Sequence, residues 1–346
     1  MPQSTLHVSR TIAAAPLRSA PRGRTGGPIA AAMLTILAVG ILILSSGTSH
    51  AQEVSAADLF QSARVLVGEL SLLRKADFDP SIRWKSNERR TDRQLRHVLA
   101  KARTVLEKVR MLQAVNGHEG AALDALAPGA AGSDEVKTVI DEIIASVRSL
   151  CPLYGMSDQT VTAEREAGKT LSDVYEELTA AEELVTAMGI PEIGHYDVMR
   201  RILGLRDDMK AICDALRSSP CTEPGEPAAA ELPKVLQPRD IFDRSYDLLT
   251  RLKRVVDARP NMSVVGGVVL PPMPMPDRPP VPNDVMSLIS ELLAETSAVK
   301  AKLGVSTATK FPNREDMTGR TPQWCFFYLG QSLAFLDEIR KTTASD

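Results

Sequence analysis

Four cysteines, Cys151, Cys213, Cys221 and Cys325, are the residues of this 346-residue chain best suited to covalent chemistry. In an oxidising compartment they would make two disulfides, with three connectivities open to them. Cys213 sits near a helix end and Cys221 follows Ser218-Ser219-Pro220, so a chain reversal is expected to bring this pair within bonding distance. Cys151 and Cys325 would then clip a middle helix to the last one; the competing reading is four buried thiols. No Cys-x-x-Cys occurs, which leaves thiol oxidoreductase chemistry and covalent haem attachment without their signatures.

Metal and acid-base chemistry have thinner support. Met262, Met273 and Met275 lie in a Pro-rich stretch, and thioethers are soft ligands suited to Cu(I), which makes copper the sharpest metal reading. The plainer reading is that they fill apolar space. Beyond residue 51 the histidines are His97, His118 and His195, none with a partner at helical spacing to build a metal site on one face. His97 lies in a basic helix and reads as solvated; His195 reads as part of a helix start. The acid pairs Glu176-Glu177 and Glu182-Glu183 splay around a helix and read as solvated face. No nucleophile elbow, Walker loop or dinucleotide fingerprint occurs, so neither catalytic residue nor cofactor is assigned.

The elements that must position these groups read as helices throughout. Asp58-Leu59-Phe60, Asp173-Val174-Tyr175 and Asp240-Ile241-Phe242 each open an amphipathic stretch, and offsets 3, 6, 10 and 13 from the aromatic are almost always apolar. Asp197-Val198-Met199 and Asp284-Val285-Met286 echo one another in the same way. Few alternating β-branched runs occur, so the fold class is all-α. Helices are predicted at about 56–75, 92–113, 134–151, 172–188, 196–216, 239–257, 283–303 and 322–340, giving seven or eight in all. The shared openings predict repeated antiparallel helix pairs, 57–113, 171–217 and 239–304, in tandem bundles. A soft boundary near residue 230 divides a region 52–230 from a region 231–346.

The first 51 residues read as an export signal. Arg10, Arg18, Arg22 and Arg24 precede an apolar run from Ile29 to Leu44, and Ser49-His50-Ala51 supplies a small-x-small cleavage pattern. The alternative is an uncleaved anchor in the inner membrane, facing the periplasm. A bacterial periplasmic or secreted location is the expectation. Removing that segment takes away four Arg and no acid, leaving 37 basic against 43 acidic residues. An exported, net-acidic chain argues against nucleic acid as a partner.

Three stretches are candidates for binding. The segment 83–110 carries ten Lys and Arg beside Trp84, Arg89 and Arg90 among them, a face for anionic headgroups or an acidic protein. The stretch 260–282 holds Val269 and Leu270 in an apolar, Pro-stiffened excursion suited to a partner's groove. Trp324 to Leu329 is apolar all round and reads as a buried closing helix. Together these point to an exported, non-enzymatic helical protein that serves as a binding scaffold for an envelope protein or component. A periplasmic small-molecule or copper carrier or sensor is second, and an enzyme without a recognisable motif is third.

Overall fold

The computed structural model describes residues 53–77, 91–118, 125–126, 131–156, 160–223, 225, 235–274, 277–313 and 315–341. Eight α-helices are found among them: α1 (Ala56–Asp77), α2 (Leu95–Val115), α3 (Ser133–Leu150), α4 (Leu171–Thr186), α5 (His195–Ala215), α6 (Pro238–Asp257), α7 (Pro282–Lys302) and α8 (Gln323–Lys341). The chain is all-α, and the sequence periodicity places every helix end within three residues. Two short strands, β1 (Ala125–Leu126) and β2 (Thr309–Lys310), pair antiparallel between distant loops.

The recurring Asp of the helix openings has a local cause. In α1, α4, α5, α6 and α7 its carboxylate accepts the backbone N–H three residues earlier: Asp58 from Ser55, Asp173 from Thr170, Asp197 from Gly194, Asp240 from Gln237 and Asp284 from Val281. One bond satisfies an orphan donor while placing negative charge at the positive helix pole. The apolar stripe behind it is equally real, since the offsets from Phe60, Tyr175 and Phe242 all fall on buried side chains.

The helices pack into two bundles with separate cores. One core is built from residues between Leu59 and Met188, the other from residues between Val198 and Ile339. In the first bundle α1 and α2 each pack against both α3 and α4; in the second, α5 and α6 each pack against both α7 and α8. The two rings therefore have the same connectivity, with successive helices on a diagonal. Repeated antiparallel pairs are not what the packing shows: α1 and α2 are diagonal, and α4 and α5 belong to different cores. The division falls at the α4–α5 turn, not near residue 230, which lies in the connection between α5 and α6.

Within each bundle the helices run parallel. Arg103, Arg110 and Gln113 of α2 meet Glu135, Glu142 and Ser146 of α3 in rising order. Arg93, Lys101 and Lys108 rise in step with Ser172, Glu182 and Thr186 of α4. In the second bundle Arg201 and Asp208 of α5 meet Ser290 and Lys300 of α7. Arg217 meets Glu338 far along α8, while the His195 carbonyl meets Cys325 at its start. Arg244 and Arg251 of α6 follow Phe326 and Asp337 of α8.

A parallel neighbour requires the chain to return along the full helix. A 20-residue helix is about 30 Å long, so the return needs roughly nine extended residues. The connections supply them: 116–132, 151–170, 216–237, 258–281 and 303–322 are long, and 187–194 alone is short. In the first bundle the return strap lies antiparallel on α1, where Val161 N–H donates to Glu69, the Ala163 carbonyl accepts from Gln61, and Arg165 bonds Asp58. In the second it lies on α5, where Thr309 donates to Asp208 and the Pro312 carbonyl accepts from Arg200. Each strap crosses its helix at a glycine. A Cβ on Gly68 would stand 2.5 Å from Val161 Cγ1, and one on Gly204 would stand 2.9 Å from the Phe311 ring.

The two bundles are antiparallel to one another. His97 at the start of α2 meets Glu295 near the end of α7, whereas Lys108, farther along α2, meets Asn283 at the start of α7. One end of the molecule therefore carries both described chain ends, near residues 53 and 341. The opposite end carries the 187–194 turn.

One expected disulfide is formed and the other is not. Cys213 and Cys221 are joined, with Cα atoms 6.1 Å apart, and the Cys221 N–H donates to Asp214. Cys151 and Cys325 are not bonded to each other: Cys151 opens the turn after α3, beside the first core, and Cys325 is buried in the second. The division into two cores keeps them apart.

The strap contacts are testable. Gly68→Ala is expected to cost about 1–3 kcal/mol by overpacking against the β-branched Val161. Adding Val161→Ala should recover part of that loss in urea unfolding; an unchanged midpoint for Gly68→Ala would mean the strap does not seat on α1.

Candidate functional site: a buried ionic seam

Helix α2 carries two adjoining stripes. Val98, Ala102, Val105, Val109 and Leu112 enter the first core, while His97, Lys101, Thr104 and Lys108, with Arg93 just before the helix, form a second row, also buried. The second row faces α4 and α7, which present Glu182, Glu291 and Glu295, all buried. The chain enters this row through Asp92, whose φ of 63° is the one positive value at a non-glycine among the described residues. Asp tolerates that left-handed region better than most side chains.

Glu295 is the most heavily engaged acid. Its side chain is 0% exposed and accepts from His97 Nε2 at 2.7 Å, Arg96 Nε at 3.0 Å and the Val269 N–H at 3.0 Å. Burial alone would raise its pKa, but the His97 ring, Arg96 and the Val269 N–H together hold it below the ordinary value. The His97 tautomer follows from its other nitrogen. Nδ1 accepts the Gln94 N–H at 3.0 Å, doing at the start of α2 what aspartate does elsewhere, so the hydrogen sits on Nε2 and is donated to Glu295.

Arg96 then fixes the 258–281 connection of the second bundle, donating to the Val265 carbonyl at 2.7 Å and to the Gly267 carbonyl at 2.5 Å. One turn earlier on α7, Glu291 accepts from the Tyr175 hydroxyl at 2.7 Å and faces Arg93 Nη1 at 3.3 Å. The Arg93 guanidinium also lies 4.6 Å from the Tyr175 ring centre. Deeper along α2, Glu182 of α4 is held between Lys101 at 2.7 Å and Lys108 at 2.8 Å. Burial pushes its pKa up, but the two ammonium groups win and bring it down to about 2. Lys108 also donates to Asn283, and Arg201 of α5 joins Glu107 of α2 to Ser290 of α7.

A separate buried set lies inside the second bundle, where Asp208 accepts from Lys300 and from Thr309. Here burial outweighs both partners and the carboxyl is raised above its ordinary value. Two clefts open nearby, of about 520 Å3 at the starts of α2 and α4 and about 440 Å3 between the ends of α6 and α8. The first mixes Arg93 with Asp92, Asp173 and Glu176; the second mixes Arg251, Arg254, Arg259 and Arg340 with Asp247 and Asp337.

The residues singled out by sequence are scattered. Trp84, Arg89, Arg90 and Met275 lie outside the described residues. Met262 is buried in the second core and Met273 is exposed, and no cluster of three or more His, Cys, Asp or Glu able to hold a metal occurs among the described residues. Val269 gives its N–H to Glu295 and Leu270 packs against the second core, so this part of the 260–282 stretch is a strap rather than a free excursion. The six described cations of 83–110 each pair with a glutamate: Arg93, Arg96, Lys101, Arg103, Lys108 and Arg110. His97 and Glu182, expected in solvent, are 1% and 3% exposed because each points into the α2–α4–α7 junction. The nitrogen-bearing side chains spaced four apart at Arg93, His97 and Lys101, matched by acids four apart at Glu291 and Glu295, were the available signal. In the closing helix Cys325, Tyr328 and Leu329 are buried, while Trp324 and Phe326 are half-buried beneath Arg320 and Arg244.

Chemically, the seam sets Arg93, Arg96 and His97 of the first bundle against Glu291 and Glu295 of the second. Glu182 has a depressed pKa, so its stabilisation is full above about 4.5 and is lost as pH falls through about 2. Glu182→Gln leaves two buried ammonium groups without their acid and is expected to cost roughly 3–5 kcal/mol at pH 7. Urea unfolding of both proteins at several pH values should show that gap narrowing below pH 4.5; a constant gap would contradict the pairing. No protein-family model, no curated protein and no solved structure matches this chain.

Proposed function

We propose that this protein is an exported, non-enzymatic helical scaffold that binds a protein partner in the cell envelope through the end opposite its chain termini. The observation that carries this reading is where exposed apolar side chains gather. Val115 is 59% exposed, Leu153 51%, Val235 79% and Val281 46%, and all four lie at the end marked by the 187–194 turn. Val115 is the last residue of α2 and Leu153 follows α3, and the Tyr154 hydroxyl donates to Asn116 between these two ends. Val235 and Val281 stand just before α6 and α7, whose starts face that same end.

Four large aliphatic groups left in solvent at one pole fit a protein contact better than a charged ligand. The seam supports the role mechanically, because buried, directional ion pairs fix the register of the two bundles and so fix the spacing of the four side chains. The Arg-rich leader and the Cys213–Cys221 disulfide favour an oxidising, exported setting. Among the described residues no helix is long and apolar enough to cross a membrane.

A photo-crosslinking residue placed at Val115 or at Val281 in the native envelope should trap a protein. The same residue at Val265, 81% exposed but held beside Arg96 near the opposite end, should not. Val281→Glu should abolish the adduct while leaving the unfolding midpoint unchanged. Equal trapping at all three positions, or none at Val115 and Val281, would overturn the reading.

A further inference from the structure

We infer that the seam is exchangeable between molecules: the second bundle of one copy docks on the first bundle of another, forming a dimer with the contacts of the monomer. Three observations carry this. Each bundle closes its own ring around its own core, so opening the seam divides neither core. The seam itself is made of charged and polar pairs, and those groups regain hydration on parting, which makes opening far cheaper than exposing a core. The covalent link between the bundles is residues 187–194, a short segment containing Pro191, and exchange across a short hinge is a low-cost route to a dimer.

The charges name the occupant. The face of the first bundle carries Arg93 and Arg96 beside His97, and the α7 face carries Glu291 and Glu295. Two first bundles meeting face to face would set cation against cation. The second bundle of another copy supplies the acids at the right spacing, and with them the β2 strand that pairs with β1 and the Arg201 that meets Glu107. This inference is independent of the envelope partner, which uses the end of the molecule rather than the seam.

The test uses two chains with different affinity tags, both carrying Cys151→Ser, one with Glu107→Cys and the other with Arg201→Cys. These positions face each other across the seam. After joint incubation at high concentration, a short bismaleimide should link the two chains to each other, and dilution before mixing should reduce that product at least tenfold. Deleting residues 189–191 shortens the hinge and should raise the dimer fraction at least tenfold by size exclusion. A dimer without the interchain link, or a link that forms only when both cysteines are in one chain, would overturn the inference. The link between full-length chains remains decisive should the deletion fail to fold.

Discussion

Every helix in a bundle of this protein points the same way, and the remaining architecture answers that constraint. Four aligned helix dipoles put partial positive charge at one end of a bundle and partial negative charge at the other. Carboxylates at the starts of α1 and α4 to α7, and basic residues in the last turns of α1, α3, α6, α7 and α8, offset those poles locally. The antiparallel placement of the two bundles offsets them globally. The long straps are the covalent counterpart, because a chain that must restart at the same end has to travel back along the bundle, and it does so over Gly68 and Gly204 where it lies close to a helix.

The seam shows how charged groups serve where apolar ones would not. Ion pairs taken out of water gain little net stability, since desolvation consumes much of the Coulombic attraction. Their geometry, however, admits one register. Glu295 reaches His97, Arg96 and the Val269 N–H only when α2 and α7 are aligned as they are, and a shift of one turn would leave a buried carboxylate without donors. An apolar seam would tolerate such sliding. Specificity of alignment, not adhesion, is what these residues contribute.

Helix positions were legible because local chemistry and apolar period agree at each one. The order of packing was not, because Asp58, Asp173 and Asp240 share a helix-start role that any amphipathic helix can use, and so say nothing about which helices are equivalent. The buried acids were hidden by their neighbours in sequence: Glu182 sits beside Glu183, and only knowledge that Lys101 and Lys108 line α2 on the facing side separates them. His97 was obscured in the same way by the arginines around it. The Pro-rich stretch looked unattached because its anchor, Arg96, lies some 170 residues away in the chain.

The first bundle is complete by residue 190, while the acids that cover its cationic row come from α7, about a hundred residues later. A chain appearing from its N-terminus therefore passes through a stage in which a finished bundle displays Arg93, Arg96 and His97 without the acids that later cover them. During that interval the nascent protein is locally cationic although the finished one is net acidic. Any factor that attends its maturation meets a surface that the mature molecule hides.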